Sequence, residues 1–320
     1  MIPEETVIRV IGLRKRYGEV IAVDGMDLDV RRGEVLGILG PGGAGKTTTL
    51  EMIEGLRKPD AGEIEVAGYD VLRERNEMKG IIGVMPRTTA ISSSLTLTSV
   101  VRHYADLRGV DVPPESVRGL LETVALAVAA ALRIGEITDG QRRRLWLALA
   151  LVDDPRILLL DDPVAGIGSR ERQEFWRVVC GIREAGKTVI VTTRNVEEAA
   201  KLCDRIALID RGRVLVCDNP RALINALGAE AVVSFRTQEH EDLASLDPKL
   251  DLLRGVLGRE REGFKIELHT NDAAATVTGV NALASERGVS FTELSVRSPD
   301  LGDVFVAYAG RKPERIVELP

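Results

Sequence analysis

The amino-acid sequence predicts an α/β protein built on a parallel sheet, and two features carry that prediction. First, "EVLGILG" is an apolar strand that ends in glycines and leads straight into the helical segment "KTTTLEMIEGL". Second, the same type of strand returns in "RILLLDD" and "KTVIVTT", separated by the helical pattern "SRERQEFWRVVCGIREAG". Apolar strands that alternate with helices are typical of parallel sheets.

The segment before that first strand alternates apolar and polar residues, as antiparallel strands do when one face is buried. The two alternating runs are "TVIRVIGLRKRY" and "VIAVDGMDLDVRRG", with turns expected at Gly25 and at Arg32-Gly33. We therefore predict an N-terminal antiparallel β-sheet.

A mostly helical pattern from Leu95 to Leu151 predicts a helical subdomain, at about residues 88–150, inserted into the α/β core. Pro113 and Pro114 mark a break between two of its helices. The apolar run "VALAVAAAL", Val124 to Leu132, is most simply a helix of the core.

The last part of the α/β core is expected to be a helix and a hairpin. After "KTVIVTT", Asn195 is a suitable N-cap, and Glu198 three residues later predicts a capping box. The stretch "RIALIDRGRVLVCD" then predicts two strands joined by a tight turn.

Asn219 and Pro220 mark a domain boundary, because the pattern changes after them to short strands and helices. Three alternating strands are expected in that last part: "AVVSFRTQ", "FKIELHT" and "VSFTELSVR". We predict two domains, residues 1–220 and a C-terminal accessory α+β module at residues 221–320.

Charge and cysteine content exclude several classes of protein. Among 320 residues, 43 Lys and Arg against 49 Asp and Glu give a net charge of −6. This balance argues against nucleic acid as a partner, because phosphate contacts need clustered positive charge. Cys180, Cys203 and Cys217 form no CxxC pair and lie far apart, as expected of buried thiols in a reducing cytosol. Neither a zinc site nor a disulfide framework is expected.

The chain is expected not to cross a membrane by itself. Its longest apolar run, Val124 to Leu132, is far shorter than the ~20 residues that a spanning helix needs. Its N-terminus, "MIPEETVIRV", has acidic residues where a signal peptide has basic residues and then an apolar core. We therefore expect a cytoplasmic location.

The glycine-rich stretch "GPGGAGKTT", Gly40 to Thr48, fits two phosphate-binding motifs. Its glycines form the GxGxxG of dinucleotide-binding folds, for which Glu63 or Glu65 would be the ribose ligand. The same residues satisfy GxxxxGK[ST], in which Lys46 reaches the β and γ phosphates and the Thr47 hydroxyl holds Mg²⁺. The Lys-Thr ending favours the second motif, because a hydride-transfer fold has no use for a lysine there.

The sequence therefore predicts a site for a nucleoside triphosphate and Mg²⁺, with the anion held by backbone N–H groups and a helix N-terminus. Asp161, at the end of "RILLLD", is expected to hold the metal together with Thr47. The residues expected to contact the nucleotide are Gly40, Pro41, Gly42, Gly43, Ala44, Gly45, Lys46, Thr47 and Thr48.

Nearly the whole chain resembles the ATP-binding subunits of ABC transporters. The stretch "RYGEVIAVDGMDLDVRRGEVLGILGPGGAGKTTTLEMIEGLRKPDAGEIEVAG" is similar to the front half of that domain, with Tyr17 at the aromatic position that stacks on adenine. The closing "SPDLGDVFVAYAGR", Ser298 to Arg311, resembles the C-terminal tail of the drug- and antibiotic-resistance exporter branch. The resemblance implies a P-loop NTPase with a RecA-like core, ATP and Mg²⁺ as ligands, and an ABC-2-type permease as partner at the inner face of the cell membrane.

In this family two subunits, identical or paralogous, enclose two ATP molecules. Each ATP lies between the phosphate loop of one subunit and the signature segment of the other. The signature aligns here with "ITDGQ" and so with Thr138, Asp139, Gly140 and Gln141. The resemblance implies that the Thr138 hydroxyl meets the γ-phosphate, whereas Asp139 places a negative charge beside it.

Four other positions depart from the family pattern. Arg87 stands in place of the Q-loop glutamine, and Asp162 in place of the catalytic glutamate. Gly168 replaces the D-loop aspartate that reaches across the dimer, and Arg194 replaces the switch histidine. Because ligands bind at the carboxyl ends of such strands, Arg194 is expected to contact the γ-phosphate without activating water.

We therefore expect the ATP-binding subunit of an exporter, which binds MgATP and dimerises beneath a membrane permease, with slow or absent hydrolysis. The alternative is a catalytically inactive nucleotide-binding subunit with a regulatory or structural role. A soluble ABC factor of translation or DNA repair fits less well, because such factors carry two cassettes or long coiled coils. This chain has one phosphate loop and no sustained heptads.

Overall fold

The computed structural model describes residues 6–78, 80–85, 91–237, 248–288 and 290–310. These residues form two compact units, one up to Pro220 and the other from Arg221 onward.

The elements up to residue 218 alternate between strands and helices. The strands are β1 (Thr6–Tyr17), β2 (Val20–Arg31), β3 (Val35–Leu39), β4 (Ala61–Val66), β5 (Tyr69–Asp70), β6 (Ile82–Val84), β7 (Ile157–Asp161), β8 (Thr188–Thr193), β9 (Arg205–Asp210) and β10 (Arg213–Asp218). The α-helices are α1 (Lys46–Ile53), α2 (Leu97–Arg108), α3 (Pro114–Thr123), α4 (Asp139–Ala150), α5 (Ser169–Glu184) and α6 (Val196–Leu202). Two 3₁₀ helices cover Ala127–Ala129 and Ile134–Glu136.

The remaining elements begin at residue 220. They are α7 (Pro220–Asn225), β11 (Ala231–Arg236), β12 (Val256–Glu262), β13 (Lys265–Thr270), α8 (Ala273–Arg287), β14 (Thr292–Arg297) and α9 (Leu301–Ala309).

A six-stranded sheet in the order β10-β9-β3-β8-β7-β6 forms the centre of the first unit. Five of its strands run parallel, and β10 pairs antiparallel with β9. Every residue of β3 and β8 is buried, which explains their nearly continuous apolar sequence. The predicted α/β fold is therefore confirmed, and the carboxyl ends of β3, β7 and β8 lie side by side.

The predicted N-terminal antiparallel sheet is present, in the order β2-β1-β4-β5, but one turn was placed wrongly. The turn between β1 and β2 falls at Gly18, whereas Gly25 lies inside β2 with φ +68°. The pairing with β1 shifts register beside Gly25, between Leu13 and Arg14, so this glycine forms a β-bulge. A glycine with positive φ serves a turn and a bulge equally well, so the sequence did not separate them.

The region from Leu95 to Leu151 is mostly helical, as predicted, but the core helix expected over Val124 to Leu132 is wrong. Ala125 has φ +54°, which ends the helical path after α3, and only a three-residue 3₁₀ helix follows. Leu126 is buried whereas Val128 is fully exposed, so the run has no single apolar face. Apolar composition without helical periodicity was not sufficient to specify a helix.

The second unit is an antiparallel sheet in the order β12-β13-β11-β14. Its apolar core consists of Val233, Phe235, Leu250, Ile266, Leu268, Val280 and Leu283. Strand β12 was not predicted, because four of its seven residues are charged. The closing segment forms α9, whose buried Asp303 receives two hydrogen bonds of 2.7 Å from the guanidinium of Arg297.

No helix within the described residues has the length and apolar character that crossing a bilayer requires.

Candidate nucleotide-binding site

The glycine loop connects β3 to α1 and is held against two neighbouring strands. A Cβ atom at Gly40 would lie 2.3 Å from the carbonyl oxygen of Ile209, and one at Gly45 would lie 2.3 Å from that of Ala22. Gly45 also has φ +99°, which glycine adopts without steric cost. These positions need glycine because backbone of β2 and β9 fills the space that a side chain would take.

Lys46 is the first residue of α1, and its side chain turns back into the loop. Its ammonium donates hydrogen bonds to the carbonyl oxygens of Gly40 (2.6 Å) and Pro41 (2.8 Å), and the residue is only 8% exposed. The loop therefore surrounds a buried positive charge, an arrangement that suits an anionic ligand. Of the other loop residues, two are exposed (Gly42 and Gly43), two are buried (Pro41 and Ala44) and two are half-buried (Thr47 and Thr48).

Arg194 brings a second cation to the loop. It follows β8, and a Cβ atom at Gly42 would lie 3.4 Å from its Nη1 atom. Burial, with a smaller contribution from the charge of Arg194, lowers the pKa of Lys46 to about 8, while Asp162 and Asp161 act in the opposite direction. An anion bound at this loop would therefore stabilise the charged form of Lys46.

Two hydroxyl groups surround the carboxylate at the end of β7. Thr47 Oγ1 donates to Asp161 Oδ2 at 2.9 Å, and Thr192 Oγ1 donates to Asp161 Oδ1 at 2.5 Å. Carboxylate and hydroxyl oxygens are ligands that Mg²⁺ accepts. The donor set therefore fits that metal, beside a loop whose charge fits phosphate.

Asp162 is positioned by the same strand end. Its backbone N–H donates to Thr192 Oγ1 at 2.9 Å, and its φ of +45° lies in the left-handed region. Asp is several-fold enriched there among non-glycine residues. The side chain is half-buried and close enough to Lys46 to affect its pKa.

Tyr17 lies at the end of β1 and is 39% exposed. The guanidinium carbon of Arg57 lies 5.1 Å from the ring centre, and Lys15 Nζ lies 5.8 Å from it. Arg57 is held in turn by Glu51, at 2.6 Å. The aromatic ring therefore has cationic neighbours, at distances typical of cation–π contacts.

The four signature residues form one cluster at the start of α4. Thr138 is the N-cap: its hydroxyl accepts from the N–H of Gln141 at 3.2 Å, and its own N–H donates to the Gln141 side chain at 2.9 Å. Asp139 pairs with Arg142 at 3.0 Å, which offsets part of its negative charge. A Cβ atom at Gly140 would lie 2.5 Å from that of Glu171, so α4 and α5 pack closely here.

Two more of the predicted positions complete the set. Gly168 is the N-cap residue of α5, with open space where a side chain would extend. Arg87 lies outside the described residues. The structure thus brings together the loop, Asp161, Asp162 and Arg194, whereas Thr138 to Gln141 form a separate cluster at the start of α4.

Thr192 contributes to this region but was not predicted from the sequence. Thr192 links both aspartates, and its only signal was a hydroxyl residue near the end of a strand. Asn195 caps α6 as predicted, accepting from the N–H of Glu198 at 3.0 Å. The predicted capping box is not formed, however, because the N–H of Asn195 donates to the Thr193 hydroxyl and not to the Glu198 carboxylate. That carboxylate lies beside Arg172.

A glycine loop between a parallel strand and a helix, with lysine, threonine and aspartate meeting beside it, defines a P-loop nucleotide-binding protein. The family model described as ABC transporter matches residues 23–165. The daunorubicin resistance ATP-binding protein DrrA3 of Streptomyces coeruleorubidus is 34% identical over 308 residues, covering 96% of each chain. The chain belongs to the ATP-binding subunits of ABC transporters, of the drug-resistance exporter type.

Other relatives and solved structures agree with this assignment. A Nod factor export ATP-binding protein I of Ralstonia nicotianae is 32% identical, covering 96% of this chain and 94% of its own length. The structure of cbiO1 from Clostridium perfringens, part of an ABC transporter complex, superposes with a TM-score of 0.63 at 24% identity. That match covers 69% of this chain and 92% of cbiO1, and it shows the fold. ABC ATPases bind ATP, generally with Mg²⁺, and the exporter subunits dimerise and work with a membrane permease.

Proposed function

We propose that this chain binds MgATP at the loop Gly40 to Thr48 and dimerises with a second ATP-binding subunit beneath an ABC-2-type permease, on the inner face of the cell membrane. The observation that supports this most is the meeting of Lys46 and Thr47, at the start of α1, with Asp161, at the end of β7, beside the glycine loop. Lysine and arginine charges face the phosphate position, and two oxygen ligands suit the metal.

The roles we propose for individual residues combine these positions with the pattern of the family. Lys46 neutralises phosphate charge, while Thr47 and Asp161 hold Mg²⁺. Tyr17 stacks on the adenine. The cluster at the start of α4, Thr138 to Gln141, faces the ATP held by the partner subunit.

The exported substrate is proposed from the relatives. Their names refer to resistance to daunorubicin or doxorubicin and to export of a Nod factor. Because these relatives span almost the whole chain, we propose export of an organic small molecule of one of these kinds.

We also propose that hydrolysis is slow. Asp162 is one methylene shorter than glutamate, which withdraws its carboxylate by about 1 Å, and misplacement on that scale can cost about 10²-fold. Arg194 places a fixed charge on the phosphate side of the loop, which favours holding ATP over activating water. Asp139 and Gly168 alter the surface that faces the partner's nucleotide, so both sites of a dimer are affected.

Calorimetric titration with MgATP tests the binding proposal. Lys46→Ala should abolish binding, because it removes the buried cation. Lys58→Ala removes an exposed lysine from the loop that follows α1 and serves as the matched control. Equal binding by wild type and Lys46→Ala would overturn the assignment of this loop.

A further inference from the structure

Arg172 of α5 and Glu198 of α6 form a mostly buried ion pair near the phosphate site. Arg172 Nε lies 3.1 Å from Glu198 Oε1, and the side chains are 29% and 11% exposed. The two atoms make a close ion pair without an aligned hydrogen bond. Glu197, the preceding residue, is exposed.

The arginine of this pair also contacts the loop that precedes α5. Its Nη2 atom donates to the carbonyl oxygen of Ile167 at 3.3 Å, next to Gly168. Arg172 therefore joins Glu198 to the loop that the proposed function places against the partner subunit.

The glutamate lies in the first turn of α6, four residues after Arg194. The N–H of Glu198 is capped by Asn195, and Arg194 precedes that cap. Arg194 in turn lies close to Gly42 of the phosphate loop. A shift of the first turn of α6 would therefore move Arg194 relative to the phosphate position.

Few side chains of α6 are buried. Of its seven residues only Ala199 is buried. Burial raises the pKa of Glu198, and Arg172 lowers it. Asp162 also raises this pKa, so the Glu198 carboxylate lies close enough to the end of β7 to interact with its charges. The ion pair is thus one attachment of this short helix to α5, together with Trp176, which also acts on the Glu198 carboxylate.

We propose that the Arg172–Glu198 pair positions Arg194 over the phosphate loop and couples it to the loop that carries Gly168. This inference rests on the proposed function. Removing one partner would leave the other charge mostly buried without its counterion, a state that proteins avoid. The first turn of α6 would relieve that state by moving toward solvent, and Arg194 would move with it.

Hydrogen exchange on the nucleotide-free protein tests the positioning without reference to ATP. Glu198→Gln should speed exchange about tenfold in peptides covering residues 165–168 and 193–197. Glu197→Gln removes the same charge from the same turn and should leave both peptides unchanged. Equal exchange in the two variants would overturn the positioning role.

Calorimetric titration with MgATP tests whether the pair acts through Arg194. Glu198→Gln should weaken binding about tenfold, and Arg172→Gln should do the same. In an Arg194→Ala background, Glu198→Gln should cause no further loss. A loss of the same size in that background would show that Glu198 acts independently of Arg194 and would overturn the proposal.

Two further measurements keep the test decisive. Arg172→Lys keeps the charge but cannot make both contacts, so it should show a smaller loss and serves if Glu198→Gln does not fold. A wild-type protein that binds no MgATP would overturn the proposed function, whereas the exchange result on the two loops would still decide the structural role of the pair.

Discussion

The buried ammonium of Lys46 predicts that MgATP binding weakens as the pH rises through about 8. Burial lowers the pKa of this lysine from its ordinary 10.5 to about 8 in the nucleotide-free protein, and Arg194 adds to that effect. Bound phosphate stabilises the charged form and so raises this pKa toward its ordinary value. Above pH 8 the free protein must take up a proton in order to bind.

The size of the effect follows from proton linkage. Below pH 8 the lysine of the free protein is charged, so the affinity for MgATP does not depend on this group. Above pH 8 the affinity falls by a limiting factor of ten per pH unit. Between pH 7 and pH 9 the expected loss is about tenfold, equal to about 1.4 kcal/mol of binding free energy. Phosphate monoesters lose their second proton near pH 6, so the nucleotide itself contributes little over this range.

Calorimetric titrations at half-unit steps from pH 7 to 9.5 measure this loss, and buffers of different ionisation enthalpy count the proton taken up. Lys46→Arg stays charged throughout and should show a flat profile at whatever affinity it has. Arg194→Ala should move the midpoint to higher pH, since it removes a neighbouring positive charge. A wild-type affinity that is constant from pH 7 to 9.5 would refute the assignment of Lys46 as the phosphate ligand.

Three further predictions concern turnover, docking and the second unit. The double change Asp162→Glu with Arg194→His should raise steady-state ATP hydrolysis when the partner's signature is intact, and an unchanged rate in the assembled transporter would contradict this expectation. Because residue 162 has φ +45°, the glutamate should also cost about 1 kcal/mol of stability, measured by denaturant unfolding. Photo-crosslinkers placed between residues 87 and 98 should capture a membrane protein, whereas capture of soluble proteins alone would count against the transporter assignment. Asp303→Ala should lower the unfolding free energy by about 2 kcal/mol, because the half-exposed guanidinium of Arg297 loses two hydrogen bonds to a carboxylate; a loss below about 0.5 kcal/mol would show that the pair contributes little.

Much of the fold follows from signals that are local in the sequence. The strands "EVLGILG" and "KTVIVTT" are apolar throughout because both faces of β3 and β8 are buried, and that requirement is visible residue by residue. The phosphate loop was equally visible, because its glycines and its lysine have fixed spacing. In contrast, β12 is rich in charged residues and occupies an edge, where alternation is a weaker constraint.

The parts that sequence reasoning missed depend on contacts between distant segments. Arg172 and Glu198 are ordinary charged residues of two helices, and only the packing of α5 beside α6 makes them partners. The left-handed backbone of Asp162 is likewise set by its pairing with Thr192, 30 residues away. Such features have no signature within a single sequence window.

Two of the positions that depart from the family pattern, Asp162 and Arg194, lie at strand ends that Thr192 connects. Its hydroxyl accepts from the N–H of Asp162 and donates to Asp161, and Arg194 follows two residues later on the same strand end. A change at Asp162 therefore acts on the hydroxyl that holds Asp161, the proposed metal ligand, and the position of Arg194 depends on the same strand end. Because coupled groups of this kind are not additive, single reversions should recover little. Asp162 and Arg194 are best understood as one modified site, in which an aspartate that tolerates the left-handed backbone and an arginine beside the glycine loop belong together.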